Sequence, residues 1–153
     1  MDVVLDVVLS TDRRELRPVD LNHAGTTFHP LVLLALVTYS YSVGVCASEA
    51  IASRLSRDAA FRSLCGNSYP DWHSIRRFRR DNRAMIERCL ERVCFEVWRS
   101  RLGTWEVGRP NGLRDRSQPL ADRIDPMICE QLRCEVKARI DWGVRLDCMA
   151  IDE

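Results

Sequence analysis

Residues 71–83 read DWHSIRRFRRDNR, and this stretch decides the fold. On a helix Trp72, Ile75 and Phe78 fall on one stripe, which predicts packing against neighbouring helices. The arginines fall mostly on other sides of the same helix, so one side packs while another presents guanidinium groups. Asp71 is a good N-cap, and we expect this helix to span about 72–82.

Short helices are predicted on the N-terminal side of this stretch. Pro30 suits a first helical turn, and the apolar positions after it recur at helical spacing up to Gly44, which is placed to end the helix. Ser48 and Asp58 are plausible N-caps for two further short helices. Residues 1–9 leave two interpretations open, a strand or a helical turn.

The C-terminal side predicts two more helices. A long helix at roughly 83–101 is followed by a cluster of Gly, Pro and Asn that indicates a linker. Apolar residues four apart then predict an amphipathic helix over 126–141, and imperfect alternation predicts a short strand at 144–151.

The fold class expected from these patterns is mainly α. We expect a compact multi-helix bundle with a helix-turn-helix-like core, a C-terminal helix and a short strand. The chain is predicted to divide into an N-terminal arm, a helical domain, a linker, and a C-terminal helix with its strand, at 1–28, 29–101, 102–118 and 119–153.

Basic charge is concentrated in one central block of the chain. The formal net charge is only +1, but residues 54–101 hold 12 arginines against 6 acidic residues, and both flanks are net negative. A segregated basic block is typical of a protein that binds a polyanion.

The helix within 71–83 supplies the candidate DNA contacts. The planar guanidinium fork binds phosphate or a guanine edge, and a helix N-terminus favours phosphate. Short helices with a Gly-containing turn before the last one match a helix-turn-helix layout. The alternative is a solvated face whose arginines pair with nearby acids such as Asp81 and Glu87. The candidate set is His73, Arg76, Arg77, Arg79, Arg80 and Arg83.

Other site types find little support in the sequence. The seven cysteines contain no Cys-x-x-Cys, and the three histidines complete no zinc pattern, so we expect buried thiols and neither metal nor cofactor. Nucleophile motifs and phosphate loops are missing. The longest apolar run, Leu31–Val37, is too short to span a membrane, and the start has no basic signal-peptide flank. These features predict a cytoplasmic protein with no membrane partner.

An ordered series of motifs resembles the InsH-like N-terminal domain of bacterial insertion-sequence transposases. The resemblance covers roughly 29–98. The residues that carry it are His29-Pro30, Leu33-Leu34, Tyr39, Tyr41, Gly44, Ser48, Ile51, Asp58, Ala60-Phe61-Arg62, Leu64, Gly66-Asn67, Pro70-Asp71, Ser74-Ile75 and Phe78-Arg79.

The resemblance implies a helical domain that precedes a DDE catalytic domain of RNase-H-like fold and helps to recognise terminal inverted repeats. DDE chemistry needs three carboxylates that hold two metals. At the place where the family has its first aspartate, in an Asp-Gly-Thr context, residues 102–108 contain none. Asp152 is a second candidate, but Asp152 and Glu153 alone cannot complete a triad.

We therefore expect a truncated or stand-alone relative that binds double-stranded DNA in the nucleoid and is not an enzyme. One alternative is a protein-interaction module that dimerises or docks on a full-length transposase, with helix 126–141 as the surface. Another is a remnant without function.

Overall fold

The computed structural model describes residues 1–17, 28–66, 69–106 and 126–149. Within these ranges the chain forms seven α-helices, a short 3-10 helix at Arg13–Glu15, and no strand. The prediction of a mainly α protein is therefore confirmed. The helices are α1 (Asp2–Leu9), α2 (Pro30–Ser42), α3 (Ser48–Arg57), α4 (Ala59–Cys65), α5 (Trp72–Asp81), α6 (Arg83–Glu106) and α7 (Pro126–Met149).

Helix α2 lies at the centre of the bundle. Leu33, Leu34, Leu36 and Tyr41 are fully buried although they lie on different sides of the helix. A helix that is apolar on all sides has to be surrounded, and α2 contacts α1, α4, α5 and α6. Gly44 follows the helix with a φ of +81°, in the left-handed region that glycine adopts without strain, so its predicted place at the helix end is confirmed.

Helix α1 belongs to the same core as α2. Of the two interpretations left open for residues 1–9, the structure has the helix. Val4, Val7 and Val8 are buried, and α1 contacts α2 and α6. Their spacing of three and four places them on one side of the helix. The start of the predicted N-terminal arm is thus packed against the helical domain.

Two of the three predicted N-caps are confirmed. The carboxylates of Asp58 and Asp71 accept hydrogen bonds from backbone N–H groups in the first turns of α4 and α5, at 2.9 and 2.7 Å. Ser48 is not the cap of α3. Ala47 holds that position, and a methyl group cannot accept a hydrogen bond, so the start of α3 has no local side-chain cap.

Helices α6 and α7 are both longer than predicted. Helix α6 continues to Glu106, into the predicted linker, whose residues 107–118 lie outside the described part of the chain. Residues 144–149 continue α7, so the strand prediction is wrong for them, and the rest of that strand lies outside the described residues. Tertiary packing explains why this segment is helical, because positions buried against the bundle recur every three or four residues along α7. These are Val136, Ile140, Gly143 and Asp147.

Among the helices of the described residues, none combines the length and the apolar character that crossing a membrane requires.

Candidate nucleic-acid interface

Helix α5 presents one outward side that is rich in basic residues. Along Trp72–Asp81 the apolar residues Ile75 and Phe78 are fully buried, so the opposite side faces outward. Four residues occupy roughly 100° of that side at 3.6 residues per turn. We call them the α5 basic face: His73, Arg76, Arg77 and Arg80, of which Arg76 is half-buried and the others are exposed.

Two arginines of this face form exposed ion pairs with Asp81. The Nε atom of Arg80 lies 3.1 Å from Oδ1 of Asp81, and Nε of Arg77 lies 4.0 Å from Oδ2 of the same carboxylate. The Arg80 side chain is 75% exposed. Exposed pairs contribute about 0–1 kcal/mol, so a phosphate can replace Asp81 as their partner at little cost.

An aromatic pair stands at the N-terminal end of the face. The rings of Trp72 and His73 stack with their centroids 3.5 Å apart.

The carboxylate of Asp71 caps the start of the same helix. Partial burial by itself would raise the pKa of Asp71, but the hydrogen bonds from Ser74 hold it below its usual value. The cap therefore stays ionised and in place at neutral pH.

Arg83 lies just beyond α5, as the first residue of α6. Its Nη2 atom is 2.5 Å from Oδ1 of Asp141 on α7, and both side chains are about half exposed, at 44% and 51%. Arg83 therefore faces solvent, but an acidic residue of the C-terminal helix already holds it.

Arg79 is not part of the basic face. Its side chain is 4% exposed, and its Nη1 atom donates to the hydroxyl of Tyr41 and the carbonyl of Cys46, both at 3.0 Å. Its Nη2 atom pairs with Asp147. A guanidinium buried in this way cannot reach a DNA phosphate, so the structure removes Arg79 from the predicted contact set. A sequence signal was present, since Arg79 lies four residues after the buried Ile75.

The partner of Arg79 was missed by sequence reasoning. Asp147 lies on α7, and its Oδ1 accepts the backbone N–H of Ser48 at 2.8 Å while Oδ2 accepts the Ser48 hydroxyl at 2.7 Å. Burial raises the pKa of Tyr41, which lines the same site, to about 12. We call these four residues, Arg79, Asp147, Ser48 and Tyr41, the buried polar cluster. It satisfies the rule that a buried charge needs a partner.

The cysteines occupy ordinary packing positions. All seven are free thiols; Cys46, Cys65 and Cys89 are buried, and Cys134 and Cys148 are exposed. Burial raises the pKa of Cys65 to about 11, so this thiol is protonated at neutral pH.

The described residues contain neither a metal site nor the carboxylates considered for DDE chemistry. There, no group of three or more His, Cys, Asp or Glu side chains is arranged to hold a metal. Asp152 and Glu153 lie outside the described residues.

Comparison with known proteins places the helices in a family. No curated protein and no solved structure matches the chain. The family model of a transposase domain (DUF772) matches residues 3–81, which is more than half of the 153 residues. The match begins inside α1 and ends with the last residue of α5, so it contains the whole α5 basic face. The chain therefore belongs to the DUF772 transposase domain family.

Proposed function

We propose that this protein binds double-stranded DNA through the α5 basic face, as a recognition module of a transposition system. The observation that carries the proposal is the separation of the two sides of α5. Ile75 and Phe78 are fully buried on one side, while the basic residues face outward on the other. Membership of a transposase domain family supports DNA as the ligand, since DNA is the polyanion on which transposition acts.

The surrounding helices support a helix-turn-helix-like approach to DNA. Helix α3 packs against both α4 and α5, so α5 is the last helix of a three-helix unit. A helix of 10 residues is about 15 Å long and fits along a major groove. The connection from α4 to α5 runs over residues 66–71, which is longer than the three or four residues usual in this motif.

The arginines suit both parts of DNA recognition. Contacts to phosphate position a protein on the duplex, and bidentate contacts to a guanine edge read its sequence. Terminal inverted repeats of an insertion element are the target that we propose for this chain. Binding, and not strand transfer, is the activity proposed.

The salt dependence of binding tests this function. Fluorescence anisotropy of a labelled duplex gives the slope of log K against log salt, which changes by about 0.9 for each lost phosphate contact. The double variant Arg76→Gln/Arg80→Gln is expected to flatten that slope by roughly 2. The matched control, Arg92→Gln/Arg145→Gln, removes the same charge from exposed positions on α6 and α7.

If the two double variants flatten the salt slope equally, only the net charge of the protein matters for binding, and the proposed interface is overturned. Incubation of a supercoiled plasmid with the protein and Mg²⁺ tests the absence of strand cleavage. Nicking that Asp152→Asn abolishes would show that the chain does process DNA.

A second candidate function is association with another protein chain. The apolar side of α7 packs inside the bundle, where Val136 and Ile140 are fully buried, so it is not available to a partner. However, Trp142 and Met149 remain 53% and 64% exposed on the same helix. Light scattering tests this candidate, since a homodimer would give a mass that rises with concentration. A pull-down of a full-length transposase from the host would identify the other partner expected.

A further inference from the structure

We propose that Asp147 on the C-terminal helix is a positioning residue for the DNA-binding unit, and that α7 completes this unit. The family match ends at residue 81, whereas α7 begins at Pro126. The inference rests on the proposed function for its consequence on DNA, but the positioning itself is a property of the fold.

The first observation is that α3 lacks a cap of its own. Ala47 holds the cap position and offers no acceptor, although its ψ of 137° is the extended conformation of an N-cap residue. Asp147, 99 residues further along the chain, instead caps the helix at its first residue. Its two carboxylate oxygens accept the N–H and the hydroxyl of Ser48, the first residue of α3, at 2.8 and 2.7 Å. A carboxylate at this end also opposes the positive end of the helix dipole.

The second observation is that the same carboxylate binds α5. Asp147 is the counter-ion of Arg79, and both side chains are 4% exposed. Arg79 lies on α5 three residues after Arg76 and directly before Arg80, which both belong to the basic face. One carboxylate thus joins the start of α3 to the C-terminal half of α5, and it fixes how the two helices sit against each other.

The third observation is that α7 is fitted closely to this site. Gly143 lies one turn before Asp147, and a Cβ built on it would come within 2.6 Å of the Tyr41 hydroxyl and 2.7 Å of the Cys46 carbonyl oxygen. Only a residue without a side chain lets α7 approach this far. Helix α7 is therefore closely packed at this site.

Amide hydrogen exchange of the full-length protein tests the positioning role without DNA. Asp147→Ala is expected to speed exchange in the first turn of α3 about tenfold, which is the loss expected for a helix cap. The matched control Asp141→Ala makes the same change on the same helix in an exposed pair and should leave α3 unchanged. Adding Ala47→Ser to Asp147→Ala supplies a local acceptor for the N–H of Glu49 or Ala50 and should slow exchange in this turn again.

The variants also separate capping from general loosening. If Asp147→Ala does not fold, Arg79→Met/Asp147→Leu removes both buried charges, and its α3 should still exchange faster. Unchanged α3 exchange in the folded variants would overturn the proposal. So would faster exchange throughout the bundle that Ala47→Ser fails to correct.

DNA affinity supplies the readout that links position to function. With a duplex that the wild type binds, Asp147→Ala should weaken binding at least threefold at a temperature where it is folded, and Ala47→Ser should restore it. Unchanged affinity despite a loosened α3 would refute the link to α5. If the wild type binds no duplex DNA, the proposed function fails, while the exchange result still decides the role of Asp147.

Discussion

Removing one or both charges of the buried ion pair is the sharpest test of how this bundle is held together. The three variants are Arg79→Met, Asp147→Leu and the double substitution. Because each side chain is only 4% exposed, a single substitution leaves the other charge buried without its counter-ion. Such a loss costs about 3–5 kcal/mol, a large part of the roughly 5–15 kcal/mol that stabilises a domain.

The double variant should cost less than the two single ones together. No buried charge remains in it. The remaining loss comes from the N–H and hydroxyl of Ser48, which lose Asp147 as their acceptor, and from the Tyr41 hydroxyl and Cys46 carbonyl, which lose Arg79 as their donor. An unsatisfied buried group costs about 1–3 kcal/mol. At about 1 kcal/mol for each of these four groups, the lower end of that range, we expect the double variant to lose about 4 kcal/mol, against roughly 6–10 kcal/mol for the sum of the single losses.

Urea unfolding followed by far-UV circular dichroism measures these free energies by linear extrapolation, with equal slopes as the check that the unfolding reaction is unchanged. Arg80→Met is the surface control, since its side chain is 75% exposed and should change stability by less than about 0.5 kcal/mol. Single losses below about 1 kcal/mol, or a double loss equal to their sum, would show that Arg79 and Asp147 are not a coupled buried pair.

The remaining predictions concern packing, capping and thiol chemistry. Gly143→Ala should destabilise the protein by about 1–3 kcal/mol in urea despite the higher helix propensity of alanine, because the new Cβ would lie 2.6 Å from the Tyr41 hydroxyl; a neutral effect would refute the close approach of α7. Asp71→Ala should cost about 1 kcal/mol at pH 7, whereas Asp71→Asn should keep most of the cap. Since the folded pKa of Asp71 is lowered, its contribution is present above about pH 4 and is lost as the pH falls through the folded pKa, so the wild type and Asp71→Ala should converge in acid. With a thiol reagent at pH 8, exposed Cys134 and Cys148 should react fast and Cys65 only after unfolding; fast reaction of Cys65 would contradict its burial.

Local signals in the sequence predicted much of the fold correctly. The apolar stripe of α5 and the caps Asp58 and Asp71 depend on residues within one or two helical turns of each other. Such interactions can be read from spacing alone, and the structure has them where they were predicted, except that Trp72 is only half-buried and stacks on His73 outside the core. The basic face of α5 follows from the same periodicity, although its role in binding DNA stays a prediction.

Arg79 shows where local reasoning fails. By residue type it belongs with Arg76 and Arg80, and a buried arginine is too costly to expect without a known counter-ion. That counter-ion is 68 residues further along the chain, on α7. The same distance explains the error over residues 144–149, where the sequence pattern alternates imperfectly but contact with the bundle maintains a helix.

The sequence by itself determined the helical stripes, two of the caps and the concentration of arginines in one block, because these depend on spacings of a few residues. Only the tertiary structure decided which arginines face solvent, which acid caps α3 and how far α7 extends. These outcomes depend on the counter-ion and the neighbour that each residue finds across the bundle, and on the large free-energy cost of burying a charge without one.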